Sequence, residues 1–239
     1  MNTVLITGSG KRLGKQLALN FAKAGWNIIL HHFHSCEAAE KTFNEIKTLG
    51  VEVFSVQFDI SKPKEIEAGF KQINDNFHFP NVLVNNAAIF PKETKIGDID
   101  EEQWDSALDT NLKGTFFVSR EFAKYAPENS RIINIASSGA FEIWNHRIPY
   151  NVSKSGVITL TKALARELAP KISVNSVSPG TVDINDETPV EPLAISTSRI
   201  PFKRYATPEE IFEAVYFFAT YTNYITGQNL TVDGGFGLK

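Results

Sequence analysis

Thr3-Val4-Leu5-Ile6-Thr7-Gly8-Ser9-Gly10-Lys11-Arg12-Leu13-Gly14 is a short apolar run that breaks at a glycine and resumes as a helical pattern, GKQLALNFAKAG, over residues 14–25. The run is strand-length, the break is glycine-rich, and residues 14–25 repeat apolar side chains at helical spacing. In such a strand–turn–helix unit the backbone N–H groups of the turn point at its occupant, and the helix dipole favours an anion such as a pyrophosphate. Glycines also make tight turns for purely structural reasons. The placement between a strand and a helix is what gives this one its weight.

Outward from that unit the same alternation repeats. Beyond TVLIT (3–7), strand-length runs occur at NIILHH (27–32), VEVFSV (51–56), NVLVN (81–85), RIINIA (131–136), KISVNSV (171–177) and QNLTV (228–232). Their nearly continuous apolar character indicates strands covered on both faces, as in a parallel sheet. Helical patterns lie between them, including CEAAEKTFNEIKTLG, KEIEAGFKQINDNF, EEQWDSALDTNLKGTFFVSREFAKYA and SKSGVITLTKALARELAP. Gly25 and Gly50 stand where helix C-caps belong, and Asp100 and Thr207-Pro208 read as helix starts. The order predicts an α/β fold: one domain over residues 1–239, with a doubly wound parallel sheet of about seven strands flanked by helices. Ligands are then expected at the carboxyl ends of the strands. Strand order is not readable at this level. The stretch 181–206, rich in Pro, Thr and Ser and without periodicity, reads as a substrate lid.

The 239 residues carry 24 Lys+Arg against 27 Asp+Glu, a net charge of −3, so no global positive field invites nucleic acid or an anionic membrane. Any anion must be held locally. The single Cys36 forms no intramolecular disulfide, the first apolar run leaves no room for a secretory leader, and no apolar stretch is long enough to span a bilayer. These features read as a cytoplasmic protein.

Several motifs occur in a fixed order: TGxxxxxG (7–14), FDIS (58–61), VNNAA (84–88), TNLKG (110–114), NIASS (134–138), YNVSK (150–154), SVSPG (176–180) and YITGQNLTVDGG (224–235). Together they resemble the short-chain dehydrogenase/reductase family over nearly the whole chain. The resemblance implies a Rossmann-like fold, a nicotinamide cofactor and hydride transfer between its C4 and a carbonyl or alcohol carbon. It also implies assembly as a homodimer or homotetramer through the helices at about 101–125 and 150–169, and a small-molecule substrate.

Residue chemistry supports the implied catalytic set of Asn111, Ser137, Tyr150 and Lys154. A Tyr hydroxyl is a weak acid at neutral pH, and a nearby Lys⁺ lowers its pKa; Tyr150 and Lys154, spaced i, i+4, share one helix face. Ser137, 13 positions before Tyr150, can donate to the substrate oxygen as charge develops there, whereas Ser138 reads as a turn residue. Asn111, a poor helix former within a helical stretch, resembles the family asparagine that holds a relay water; a helix-kink asparagine is the plain alternative. In the reductive direction Tyr150 protonates the oxygen, and Lys154 also holds the nicotinamide ribose.

For the cofactor, the second strand ends LHHFHS without an Asp or Glu, so nothing there repels a 2′-phosphate. Lys11 and Arg12 add positive charge, and His34 or Ser35 can bond a phosphate. NADP(H) is therefore favoured over NAD(H). Around it the resemblance implies contacts from Gly8, Ser9, Leu13, Gly14, Asp59, Ile60, Asn86, Ala87, Tyr150, Pro179, Gly180 and Val182. The cluster HHFHSC (31–36) invites a metal reading, but strand alternation separates His31 from His32 and His34. No metal site is expected, and these histidines are read as solvated or phosphate-facing.

Departures from the family pattern bear on the substrate. Arg12 replaces the middle of three glycines, and KRLG with a His-rich second-strand end resembles the pteridine reductase branch, where Phe90 would stack on a pterin. Phe90 as core is the plain alternative. Ser137 stands where that branch carries an aspartate, and serine is what carbonyl reductases such as 3-oxoacyl-carrier-protein reductases use. Ile184 replaces a threonine that contacts the nicotinamide amide. Trp144, His146 and Arg147 are expected at the substrate mouth, with structural packing an equal reading for Trp144. A non-catalytic dinucleotide sensor is the alternative of a different class, disfavoured because all four chemistry positions are present.

Overall fold

The computed structural model describes residues 2–184 and 195–238. Seven strands, β1 (Thr3–Ile6), β2 (Asn27–His32), β3 (Val53–Gln57), β4 (Val82–Asn85), β5 (Ser130–Ile135), β6 (Ile172–Pro179) and β7 (Asn229–Val232), form one parallel sheet in the order β3-β2-β1-β4-β5-β6-β7. The chain leaves β3 at one edge and returns as β4 on the far side of β1, so the strand order reverses between β1 and β4. At such a switch point the crevice outside the carboxyl ends of the strands is the expected ligand site.

Among the described residues eight α-helices cover the sheet: α1 (Arg12–Lys23), α2 (Cys36–Lys47), α3 (Pro63–Asn76), α4 (Glu101–Leu108), α5 (Thr115–Tyr125), α6 (Gly139–Glu142), α7 (Ile148–Leu168) and α8 (Pro208–Thr220). Strand alternation explains the two cores. Val4, Ile6, Ile28, Leu30, Val82 and Val84 pack with α1, α2 and α8, while Leu5, Ile29 and Leu83 pack with Ile66 and Phe70 of α3 and Val118 and Phe122 of α5. Residues one apart on a strand therefore face different helix layers, which is why the strands read as unbroken apolar runs. Each fully buried Ile or Phe contributes about 1.5–3 kcal/mol.

Helix ends show the expected chemistry. The Asp100 side chain accepts from the Gln103 N–H, and Thr207 and Glu210 cap each other reciprocally. Gly25 and Gly50 lie just past their helices at φ +80° and +77°.

One helix differs from its sequence pattern. Residues 101–125 read as a continuous helix, but the structure inserts a π-helical stretch, Asp109–Gly114, between α4 and α5. The Asn111 amide bonds both the N–H and the carbonyl of Ile89, at 2.8 and 3.0 Å, drawing the helix towards the loop after β4. Gly114 passes so close to the Ile60 carbonyl that a Cβ would lie 2.8 Å away. Such bulges mark functional positions in many helices. In the expected lid, Val182 pairs with Ala206 at its base, and 185–194 lie outside the described residues. Among the described residues no helix is long and apolar enough to cross a membrane.

Candidate active site

The turn after β1 is built from both sides of the switch point. The Thr7 hydroxyl, buried at the end of β1, accepts from the Asn86 and Ala87 N–H groups at 3.0 Å each, fastening β1 to the loop after β4. The Asn86 amide in turn donates to the carbonyls of Thr7 (2.9 Å) and Gly8 (3.2 Å). Asn86, expected beside the nucleoside, thus spends its side chain on shaping the turn. Ser9 closes the other side, its hydroxyl donating to the Ile6 carbonyl and its N–H to that of His31.

The mouth of this turn suits an anion. Lys11 precedes α1 without a side-chain cap, the first helical turn holds no acidic residue, and Lys11 and Arg12 are exposed. Arg12 takes φ +54°, the left-handed conformation that glycine supplies at the middle position of the family motif. An uncapped helix N-terminus flanked by two cations fits a pyrophosphate. Just past β2, His34 is exposed, and Ser35 precedes α2 with its hydroxyl uncommitted to the helix. Asp59 is half-buried with its carboxylate on the Ser61 N–H, beside buried Ile60.

His31 departs from the sequence reading. It is neither solvated nor phosphate-facing but 2% exposed, with Nδ1 accepting from the Gly8 N–H at 3.0 Å and Nε2 donating to the Phe58 carbonyl at 3.0 Å. Those bonds require the neutral ring. Burial accordingly lowers its pKa from 6.5 to about 4. The unfolded chain takes up this proton first as pH falls below 6.5, so stability present above that pH is lost down to about pH 4. The loss is about 3 kcal/mol. Urea midpoints measured from pH 7 to 4 should show this fall, and a His31→Asn variant should flatten it; equal slopes in the two proteins would refute the assignment. Among the described residues no group of three or more His, Cys, Asp or Glu could hold a metal ion.

The chemistry positions gather one strand further on. Ser137 lies just past β5, 4% exposed, and neighbours Tyr150 in the first turn of α7. Lys154, one turn along and 3% exposed, donates to the Ile135 carbonyl at 2.8 Å, with its amine 5.9 Å from the Tyr150 ring centre. Burial pushes the Lys154 pKa down to about 8. Burial also pushes the Tyr150 pKa up, opposed by the Ser137 hydroxyl and the Arg147 charge. Lys154 stands one turn from Tyr150 on α7, as the i, i+4 spacing implies.

Asn111, 1% exposed, spends its amide on Ile89 and on the Ser153 hydroxyl at 3.1 Å, so its side chain braces the loop after β4 against α7. Its carbonyl accepts from Thr115 at 2.7 Å, and a buried chain of Ser119, Asn85, Asn134 and Thr161 then crosses the sheet from α5 to α7. This polar brace, unread in the sequence, ties α7, which carries Lys154, to α5, which continues the π-helical stretch that carries Asn111. Opposite, the Ser138 N–H binds the Pro179 carbonyl, and a Cβ on Gly180 would meet Asp233 at 2.9 Å.

Aromatic rings close the site. Phe90 stands edge-on to Tyr150 at 4.6 Å and Trp144 lies nearly parallel to Tyr150 at 6.0 Å. Phe90, half of whose surface is exposed, is thus at the site and not in a core. His146 is exposed, but Arg147, expected at the mouth, turns inward and is 6% exposed.

A seven-stranded doubly wound sheet with a Gly-rich turn at its switch point and a Ser–Tyr–Lys group beyond the next strand defines an oxidoreductase of the Rossmann-like class. Similarity to known proteins narrows this class: the family model described as enoyl-(acyl carrier protein) reductase matches residues 8–237, and the chain belongs to the short-chain dehydrogenase/reductase family. It is 35% identical to the 3-oxoacyl-acyl-carrier-protein reductase FabG of Staphylococcus aureus, over 98% of this chain and 97% of that one. A short-chain dehydrogenase/reductase from Serratia marcescens matches its fold with a TM-score of 0.92 at 28% identity, covering 99% and 98% of the two chains. A Burkholderia cenocepacia short-chain dehydrogenase, solved in complex with NADP, matches with a TM-score of 0.91 at 28% identity over 98% and 97%.

Proposed function

We propose that the protein is an NADP(H)-dependent reductase of a carbonyl substrate of the 3-oxoacyl type, with Tyr150 as the proton donor. The observation that carries this is the meeting of Ser137, Tyr150 and Lys154, from β5 and α7, beside the switch point. Gly8, Ser9, Lys11, Arg12, Leu13 and Gly14 would hold the pyrophosphate side, and Arg12, His34 and Ser35 the 2′-phosphate. Asp59, Ile60, Asn86 and Ala87 would border the nucleoside, and Pro179, Gly180, Val182 and Lys154 the nicotinamide end. When bound, the nicotinamide supplies the hydride.

The chain's own residues do the rest. Ser137 donates a hydrogen bond to the carbonyl oxygen, stabilising charge as it develops. Tyr150 delivers its proton to the same oxygen, and the Lys154 cation supports the tyrosinate left behind. Asn111 acts by bracing Ile89 and Ser153. Phe90 and Trp144 wall the substrate and exclude water. The whole chain, 1–239, acts as one domain and assembles as a homodimer or homotetramer; half-exposed Trp104, Phe116 and Val152 lie on the helices expected to pair. The Staphylococcus aureus relative is a 3-oxoacyl-acyl-carrier-protein reductase by its name, and with Ser137 in place of an aspartate a pterin substrate is not favoured.

The test is oxidation of NADPH and NADH by the purified protein with a panel of 3-oxoacyl thioesters and simple ketones. NADPH should be preferred, and Arg12→Glu should weaken NADPH about tenfold or more while sparing NADH. No turnover with any carbonyl, or equal use of the two nucleotides in both proteins, would overturn the reading.

A further inference from the structure

Near the end of β2, His31 is tied to segments that follow two other strands. Its backbone pairs with Ser9 in both directions, the carbonyl accepting from the Ser9 N–H at 2.9 Å and the N–H donating to the Ser9 hydroxyl at 3.1 Å. Its ring then bridges two loops. Nδ1 lies 3.0 Å from the Gly8 N–H and Nε2 3.0 Å from the Phe58 carbonyl; an amide N–H only donates and a carbonyl only accepts, so the ring proton sits on Nε2. The Phe58 ring packs on the imidazole with centres 4.1 Å apart. The peptide between Phe58 and Asp59 is thus held at both ends, its carbonyl by His31 and its N–H by the Glu65 carboxylate at 2.9 Å. Gly8 is gripped twice as well, since its carbonyl accepts from the Asn86 amide on the far side. With its N–H spent on His31, Gly8 leaves any anion in the turn to the N–H groups at the uncapped start of α1.

We propose that His31 is a positioning residue for the dinucleotide: its imidazole spans the gap between the glycine-rich turn and the loop after β3, and so fixes the spacing between the pyrophosphate and adenosine subsites. The assignment deepens the reading of residues 8–14 and of Asp59 and Ile60 as the cofactor's border, and rests on it. The ring is 2% exposed, so it acts through Gly8 and Phe58 and not by touching the nucleotide. A role in packing alone would need only the ring's volume. The two ring nitrogens at bonding distance are what a hydrocarbon of that size lacks, and each holds a backbone group of a different subsite. A ligand gripped at two points loses affinity when the points shift against each other, because part of its binding energy then goes into re-ordering the site.

Three variants separate the two bonds. His31→Asn keeps an acceptor near the place of Nδ1 for Gly8, His31→Gln keeps a donor near the place of Nε2 for Phe58, and His31→Leu keeps neither. Calorimetric titration with NADPH, and with ADP-ribose 2′-phosphate, which lacks the nicotinamide, should give dissociation constants raised about tenfold in His31→Leu and about threefold in the other two, by the same factor for both ligands. In steady-state reduction the KM for NADPH should rise in the same order, with kcat at saturating NADPH held near wild type. Wild-type affinity in His31→Leu, an equal loss in all three variants, or a loss confined to kcat would overturn the proposal. Should His31→Leu fail to fold, unchanged affinity in both His31→Asn and His31→Gln overturns it alone. Wild-type protein that binds neither ligand would instead sink the reading of a dinucleotide site, a failure seen before any variant is compared.

Discussion

Tyr150→Phe is expected to lower turnover at least about a thousandfold while leaving the fold and nucleotide binding nearly unchanged. A positioned general acid is worth about 10²–10⁴ in rate, and no other described hydroxyl at the site shares Tyr150's place on the catalytic helix. Phenylalanine keeps the ring that meets Phe90 at 4.6 Å and Trp144 at 6.0 Å. It loses only the hydroxyl beside Ser137, a polar contact worth at most about 1 kcal/mol. Activity and stability should therefore separate: steady-state reduction collapses, while the melting temperature and NADPH affinity, read by calorimetry, stay close to wild type. A variant retaining a tenth of the activity would show that another group delivers the proton.

The catalytic group was legible because its logic is local. An i, i+4 Tyr/Lys pair needs only a helix to share a face, and a serine at a strand end needs only that strand to stop. The Thr7–Gly14 turn was legible for the same reason. What stayed hidden depends on contacts between distant segments. His31 matters because β2 pairs with β1 and brings its ring under Gly8, a neighbour relation that strand order decides and the sequence does not display. Arg147 read as a mouth residue because its position between Ser137 and Tyr150 was visible, whereas its inward turn depends on Pro91 and Glu93, more than 50 positions earlier. The π-helical stretch at Asn111 is similar: helical period runs through 101–125, and the interruption comes from Ile89. Net charge carries no trace of Arg12 at its turn or of Arg147 against the loop after β4, since each sits at the start of one helix.

Gly14→Ala should be the most damaging small change in the nucleotide turn. A Cβ at this position would lie 2.2 Å from the Gly8 carbonyl oxygen and 2.6 Å from the Asn86 amide nitrogen. Neither neighbour can withdraw, because the Gly8 N–H is held by His31 and the Asn86 amide is held by Thr7. Overpacking of this kind costs about 1–3 kcal/mol or more, and relief requires moving the turn that would receive the pyrophosphate. Both a lowered melting temperature and at least about tenfold weaker NADPH binding are expected. Gly97→Ala, where a Cβ meets nothing within 4 Å, is the matched control and should be near neutral. A Gly14→Ala protein with wild-type stability and nucleotide affinity would refute this. The contrast with Arg12 explains why the family's three glycines are not equivalent. The middle one supplies only a left-handed backbone, which an arginine adopts here at φ +54°, a strain of about 1–3 kcal/mol that the turn tolerates while gaining a cation at its mouth. Gly14 supplies volume, and at 2.2 Å from a fixed carbonyl no side chain substitutes for its absence.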